Sequence, residues 1–290
     1  MPGHMDKSFL RELAENPDFI SGIHNYCDRW CERCPFTSRC IVYATEKADE
    51  ELDDPEVHDI NNAKFWQKLE SIFKEAGMML AEWAEEAGVD LDTAEVEEEM
   101  ERHKRERETV WKDELSLLAR EYAQMVQRWF EEEFSVEHNL YDDSGTAKAS
   151  EEDVSATEAI EVIRWYQFFI AAKLMRAISG SDRAAQTEDS ASTEEIFADE
   201  EPFEDEEYDA EADDVVQSDA DGSAKVALIA INRSESAWRV LHRSLPEKTD
   251  SIAPMLAALE RLRLSTEATF PNAYEFMRPG FDEESSQFIS

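Results

Sequence analysis

The chain has 290 residues, 42% hydrophobic and 10% aromatic, with 69 acidic against 29 basic residues and a formal net charge of −40. Its length suits one large domain or two small ones, and seven Trp and fifteen Phe exclude a wholly disordered acidic chain. The charge argues against a nucleic-acid or anionic-lipid surface, because binding phosphate replaces counterions with Lys and Arg.

Part of the acidity is concentrated. Between Ser181 and Gly222 there are eighteen acids and one base, Arg183, so the remainder of the chain still carries −23. Such an excess keeps a surface soluble, repels nucleic acid, or marks a high-salt cytoplasm. The first twenty residues lack a basic start followed by an apolar run. The longest wholly apolar stretch, Val226–Ile231, is far too short to span a bilayer. A soluble cytoplasmic protein, with no membrane and no nucleic-acid partner, is the expectation.

The first 60 residues hold all four cysteines. Cys27, Cys31, Cys34 and Cys40 lie within fourteen residues, spaced C-x3-C-x2-C-x5-C. A chain of this size without a secretion signal gains little from disulfides that the cytosol reduces, so the cluster predicts metal binding. Cys27, Cys31 and Cys34 fall at i, i+4 and i+7, one side of a helix; Pro35 then breaks it and lets Cys40 close the site. His24, three residues before Cys27, is placed on the same side as a fifth ligand or a hydrogen-bonding neighbour of the ligands.

Zinc sites usually pair two C-x2-C knuckles, with Gly nearby and a long spacer between. Here the ligands interlock in one short loop, no Gly occurs from 23 to 76, and Pro follows a Cys, as in short cluster-binding runs. Arg29, Arg33, Arg39 and Lys47 outnumber Asp28, Glu32 and Glu46, which offsets a site of net charge −2. That charge is common to a zinc tetrathiolate and an oxidised [4Fe-4S] centre. Trp30 and Phe36 either shield a cluster from water or simply pack.

Trp30-Cys-Glu-Arg-Cys-Pro-Phe-Thr-Ser-Arg-Cys-Ile-Val-Tyr-Ala44 resembles the cluster loop of endonuclease III-type and adenine-specific DNA glycosylases. There the last three cysteines have the spacing C-x2-C-x5-C and the four hold a [4Fe-4S] cluster. The resemblance covers about twenty residues and implies cluster ligation by Cys27, Cys31, Cys34 and Cys40. The first gap is x3 where that family has x6, and no Leu-Pro-Gly-x-Gly hairpin element occurs, so no glycosylase catalytic residue carries over. The C-x3-C-x2-C portion also resembles the radical S-adenosylmethionine motif, whose β/α barrel does not match a helical chain.

Beyond residue 60 the pattern is helical, with only 8 Gly and 9 Pro in the chain. From Asn61 to Ala87, Phe65, Leu69, Ile72, Ala76, Met79 and Trp83 step by 4,3,4,3,4, and Trp66, Phe73 and Leu80 widen the stripe. Met78 and Met79 are assigned to the core. Gly88 ends this helix and Asp92 caps the next. There Trp111, Leu115, Leu118, Tyr122, Met125 and Trp129 repeat the step, after a charged extension over 95–108. A helix over 154–178 opens with a Ser155-x-x-Glu158 capping box, is apolar almost all round, and ends at Gly180. Residues 181–222 read as a disordered acidic linker, with Ile196, Phe197, Phe203 and Tyr208 as an embedded partner motif. Helices over 224–244 and 251–270 follow.

The expected architecture is all-α: an antiparallel bundle of four to five helices with an N-terminal Cys-rich cap. Its parts are the cap (1–60), the first part of the bundle (61–180), the acidic linker (181–222) and the second part of the bundle (223–290). A di-iron site needs Glu-x-x-His on facing helices. His58, His103 and His242 follow Pro55, Met100 and Arg239 at i−3, so none qualifies. His138 and His103 read as surface residues. Glu161, Arg164 and Gln167 form a candidate buried polar trio or structural ion pair. No phosphate loop, serine elbow or HExxH motif is present. The chemistry therefore converges on a four-cysteine metal protein. An iron-sulfur redox or sensing protein with an electron-transfer or other protein partner leads, and a zinc-stapled interaction module is the alternative. No substrate or reaction is legible.

Overall fold

The computed structural model describes residues 13, 16–52, 56, 62–88, 93–134, 151–190 and 218–282. Among them there is no strand; the elements are α-helices joined by short 3-10 and π turns. They are α1 (Ile41–Leu52), α2 (Ala63–Ala87), α3 (Ala94–Lys112), α4 (Glu114–Trp129), α5 (Glu151–Ser190), α6 (Asp219–Ser244) and α7 (Thr249–Thr269). The all-α expectation holds. No helix among the described residues is long and apolar enough to cross a membrane.

The chain divides into two compact units, Met1–His24 with Arg29–Arg105, and Asn25–Asp28 with Glu106–Ser290. The division falls inside α3, whereas composition placed boundaries at residues 60, 180 and 222. A charged helix carries few apolar contacts across its length, so Arg105 offers a seam that composition does not mark. The middle of the acidic linker, with Ile196, Phe197, Phe203 and Tyr208, lies outside the described residues, as do His58 and His138.

In the first unit, α2 is closed at both ends by local chemistry. The Asn62 side chain accepts from the Lys64 amide, and Gly88 turns left-handed (φ 66°) so that its amide bonds back to Ala84 and Glu85. Its apolar stripe is a correction to the expected core. Trp66, Ile72, Phe73, Met78, Met79, Leu80 and Trp83 are all exposed. Periodicity shows that a helix has an apolar face but not what covers it. The charged α3 is laced by i,i+3 and i,i+4 pairs, among them Glu99 with Arg102 and His103, and Glu108 with Lys112. Its N-terminal cap is Thr93, whose hydroxyl accepts from the Val96 amide; Asp92 lies outside the described residues.

The second unit is an antiparallel bundle. Its first helix starts at Asp113, whose carboxylate accepts from the Leu115 and Ser116 amides and so breaks the expected continuous stripe after Trp111. Trp111 is accordingly exposed, with the Arg120 guanidinium over its ring at 3.7 Å. Gln167 donates to Gln127, and Arg164 lies over Phe130, so α4 and α5 run in opposite directions. Pairs Tyr166–Arg233, Arg176–Asp219 and Gly180–Ala220 set α5 and α6 antiparallel in the same way. One turn, Pro246–Lys248, returns the chain into α7.

The core is filled by Tyr122, Ile163, Tyr166, Ile170, Leu174, Leu228, Ile231, Trp238, Leu241, Ile252 and Leu259. An aromatic knot joins three helices: Trp238 donates to the Tyr122 hydroxyl at 3.0 Å, Trp129 meets Trp238 edge-on at 4.9 Å, and Trp129 donates to Ser251. Small residues on α6 (Ala220, Gly222, Ser223, Ala224, Ala227) let neighbours approach closely.

Three further expectations are corrected. Gly180 does not end its helix, which continues to Ser190. An ideal Cβ at 180 would stand 3.3 Å from the Ala220 amide nitrogen, so this glycine makes room for the start of α6. That start lies at Asp219, capped by the Ser218 hydroxyl, inside the segment read as linker. Finally, Glu161, Arg164 and Gln167 form no trio. Gln167 is buried on Gln127, Glu161 and Arg164 are exposed, and Phe168 is exposed on the helix read as wholly central.

Candidate functional site

The cysteine segment is not helical. It runs through three short 3-10 turns, Ile23–Asn25, Cys31–Arg33 and Thr37–Arg39. Arg29 adopts a left-handed conformation (φ 59°) that no α-helix through Cys27 and Cys31 tolerates. The i, i+4, i+7 face expected for Cys27, Cys31 and Cys34 therefore does not exist. Nor does the helical side that was to place His24 beside them; His24 lies in the first turn.

Turn geometry now places the sulfurs. Cys31 opens one turn and Cys34 closes it in extended conformation, its amide bonded to the Cys31 carbonyl at 3.1 Å. Pro35 follows, and the Phe36 amide donates to the Cys34 Sγ at 3.4 Å. Cys40 closes the next turn in the same way and accepts from the Ala44 amide through its carbonyl, which starts α1. The Ile20 amide bonds to the Arg39 carbonyl, and Arg39 Nε donates to the Asp18 carbonyl, tying this stretch to residues 18–20. The Arg33 guanidinium covers the Trp30 ring at 3.9 Å, and Arg29 pairs with Glu46 at 4.0 Å. The basic residues are engaged in holding the loop.

Cys27 belongs to a differently held segment. Asn25–Asp28 is part of the second unit, where its other residues are each fastened to α5 or α6. Lys173, buried in α5, donates to the Asn25 carbonyl at 2.8 Å. Tyr26 donates to Asp219, which also takes the Arg176 guanidinium. Burial and the Asp219 carboxylate push the Tyr26 hydroxyl up to about 12, so it remains a donor at neutral pH. Trp165 donates to the Asp28 carbonyl at 2.9 Å, and the Asp28 carboxylate accepts from Tyr166 at 2.6 Å and from Arg233. Burial and the Asp28 contact raise the Tyr166 hydroxyl well above its ordinary range.

Sequence reasoning missed this clamp. A signal was present: Lys173 stands between Ile170 and Leu174 in an apolar helix, and a buried ammonium requires acceptors. Its acceptor is a backbone carbonyl 148 residues away, which no local pattern encodes. The four cysteines are all partly exposed, and no disulfide joins them. Among the described residues, no three His, Cys, Asp or Glu side chains converge as a metal-holding group. What the structure offers a metal is thus a donor set on turns, with one amide already aimed at a sulfur. No known protein family, curated protein or solved structure matches the chain.

Proposed function

We propose that the chain is a metal protein whose cysteines, Cys27, Cys31, Cys34 and Cys40, hold a [4Fe-4S] cluster in a redox or sensing role. The observation that carries this reading is four thiols within fourteen residues, none in a disulfide and none buried away from solvent. Ligand thiols must be reachable and must lose their protons on binding, and metal sites form together with the local fold. A loop of turns suits that requirement better than a rigid helix. The Phe36 amide on Cys34 Sγ supports a ligand role for this sulfur, because amide hydrogen bonds stabilise bound thiolates and, in a cluster, tune its potential. When bound, the cluster supplies one-electron chemistry; the chain's own part is to hold four thiolates and limit water near them.

The alternative is a zinc ion on the same four sulfurs, acting as a structural staple in an interaction module. Cys31 and Cys34 bracketing one turn is the observation that favours it, since C-x2-C knuckles are common zinc elements. Anaerobic purification separates the two. Iron and sulfide in equal amounts, with broad visible absorption that Cys34→Ala abolishes, is the expected result. A colourless protein with one zinc per chain overturns the cluster reading in favour of the staple.

A further inference from the structure

We propose that α2 is a self-association surface, pairing antiparallel with α2 of a second copy, independently of the cysteines. The helix is capped at both ends, so its backbone needs no neighbour, yet most of its apolar face is exposed among the described residues, only Phe65 and Leu69 being half-buried. Trp66, Phe73 and Trp83 are 55, 69 and 56% exposed, and Ile72, Met79 and Leu80 are about half exposed. No soluble helix gains from displaying such a face to water, and a contiguous patch of this kind marks an interaction site.

The spacing identifies the occupant as another helix. Phe65, Leu69, Ile72, Ala76, Met79 and Trp83 follow the 4,3 alternation of a coiled-coil seam along most of the 25-residue helix. Rotation about a two-fold axis at residue 74 sets Ile72 opposite Ala76, Leu69 opposite Met79 and Phe65 opposite Trp83 of the other copy. One flank is then apolar: Trp66 lies beside Leu80, and Phe73 beside its own counterpart. On the other flank Lys68 comes opposite Glu82, twice by symmetry. A parallel pair would instead stack Ala76 on Ala76, leaving a gap, and would not oppose Lys68 to Glu82. On that flank Glu75 also meets its own counterpart, so two attractive pairs stand against one like-charge meeting, and the complementary core sizes favour the antiparallel arrangement. The six most exposed seam and flank side chains present roughly 700 Å² per copy. A pair therefore covers at most about 1,400 Å², which reaches the range of stable interfaces.

The test is sedimentation velocity of the full chain in reducing buffer, from about 1 to 100 μM. A concentration-dependent dimer is expected, weakened at least tenfold by Phe73→Glu with unchanged helical circular dichroism. Lys68→Glu should weaken it about fivefold, and adding Glu82→Lys to the same chain should restore it, because each copy then offers the swapped pair. A wild-type monomer across this range overturns the proposal, including one that binds a different protein through α2. A dimer indifferent to Phe73→Glu overturns it too. Failure of the double exchange to restore affinity overturns the antiparallel register.

Discussion

Replacing Gly222 by alanine adds a single methyl group at the point where Tyr26 and Phe276 close on α6. The ideal Cβ would stand 2.6 Å from Phe276 Cζ and closer still to Tyr26 Cε1, distances real Cβ atoms do not show. Neither ring yields freely. They pack on each other at 4.6 Å, and Tyr26 is also fixed through its hydroxyl to Asp219. With two rings this close, overpacking falls in the upper part of its usual range, about 2–3 kcal/mol. Alanine is a better helix former than glycine by about 1 kcal/mol, which offsets part of that cost. A net loss of about 1–2 kcal/mol lowers the Tm by roughly 3–6 °C for a unit of this size. Gly77 in α2 supplies the control, because an added Cβ there meets nothing within 4 Å. Gly77→Ala should raise helicity and leave the Tm unchanged or higher. Thermal melts followed by circular dichroism read both variants. If Gly222→Ala is as stable as the parent, the close approach is not a constraint and the argument fails. If both variants shift in the same direction, helix propensity rather than packing decides the outcome. Tyr26 adjoins Cys27, so on the proposed cluster reading a loosened ring should also lower iron content in Gly222→Ala relative to Gly77→Ala.

Tyr122→Phe removes the acceptor of the buried Trp238 indole and should cost about 1–3 kcal/mol, read as a lower urea midpoint at unchanged slope. The Asp282 carboxyl is held well below its ordinary value: burial raises it, but hydrogen bonds from Arg278 and Lys225 prevail. A depressed folded value gives stability that is present above the unfolded value near 4 and lost as the pH falls through the folded one. Asp282→Asn should therefore cost about 2 kcal/mol at pH 7, with the gap from wild type narrowing in melts below about pH 4. If the proposed cluster is present, Cys34→Ala should lose visible absorption and iron with the helical signal retained; retained iron would remove Cys34 from the ligand set.

The helices were legible because their signals are local. The 4,3 stepping of Phe65 to Trp83, the Gly88 stop and the stripe from Leu115 to Trp129 need only nearest turns to be recognised, and all reappear. The helix assigned through Cys27, Cys31 and Cys34 failed because i, i+4, i+7 spacing says where side chains would lie if a helix formed, not that one forms. Trp30, Pro35 and the left-handed Arg29 favour turns instead. Gly180 looked like a breaker and Gly222 like the end of the linker, yet both are packing positions, Gly180 against Ala220 of α6 and Gly222 against Tyr26 and Phe276.

By itself, then, the sequence determined the helical class, the excess of acid, and the only four thiols available to a metal. These follow from composition and short-range periodicity. Tertiary structure alone decided which apolar faces are covered. The stripes of α2 and α4 are nearly identical in spacing, but α4 is buried against α5, α6 and α7, whereas most of the α2 stripe is exposed among the described residues. It alone decided, too, that Cys27 sits in a tetrapeptide fastened by Lys173, Asp219, Tyr166 and Arg233. Partners so far apart in the chain leave no periodic mark, since burial and ion pairing depend on what folding brings opposite, and spacing records only what lies alongside.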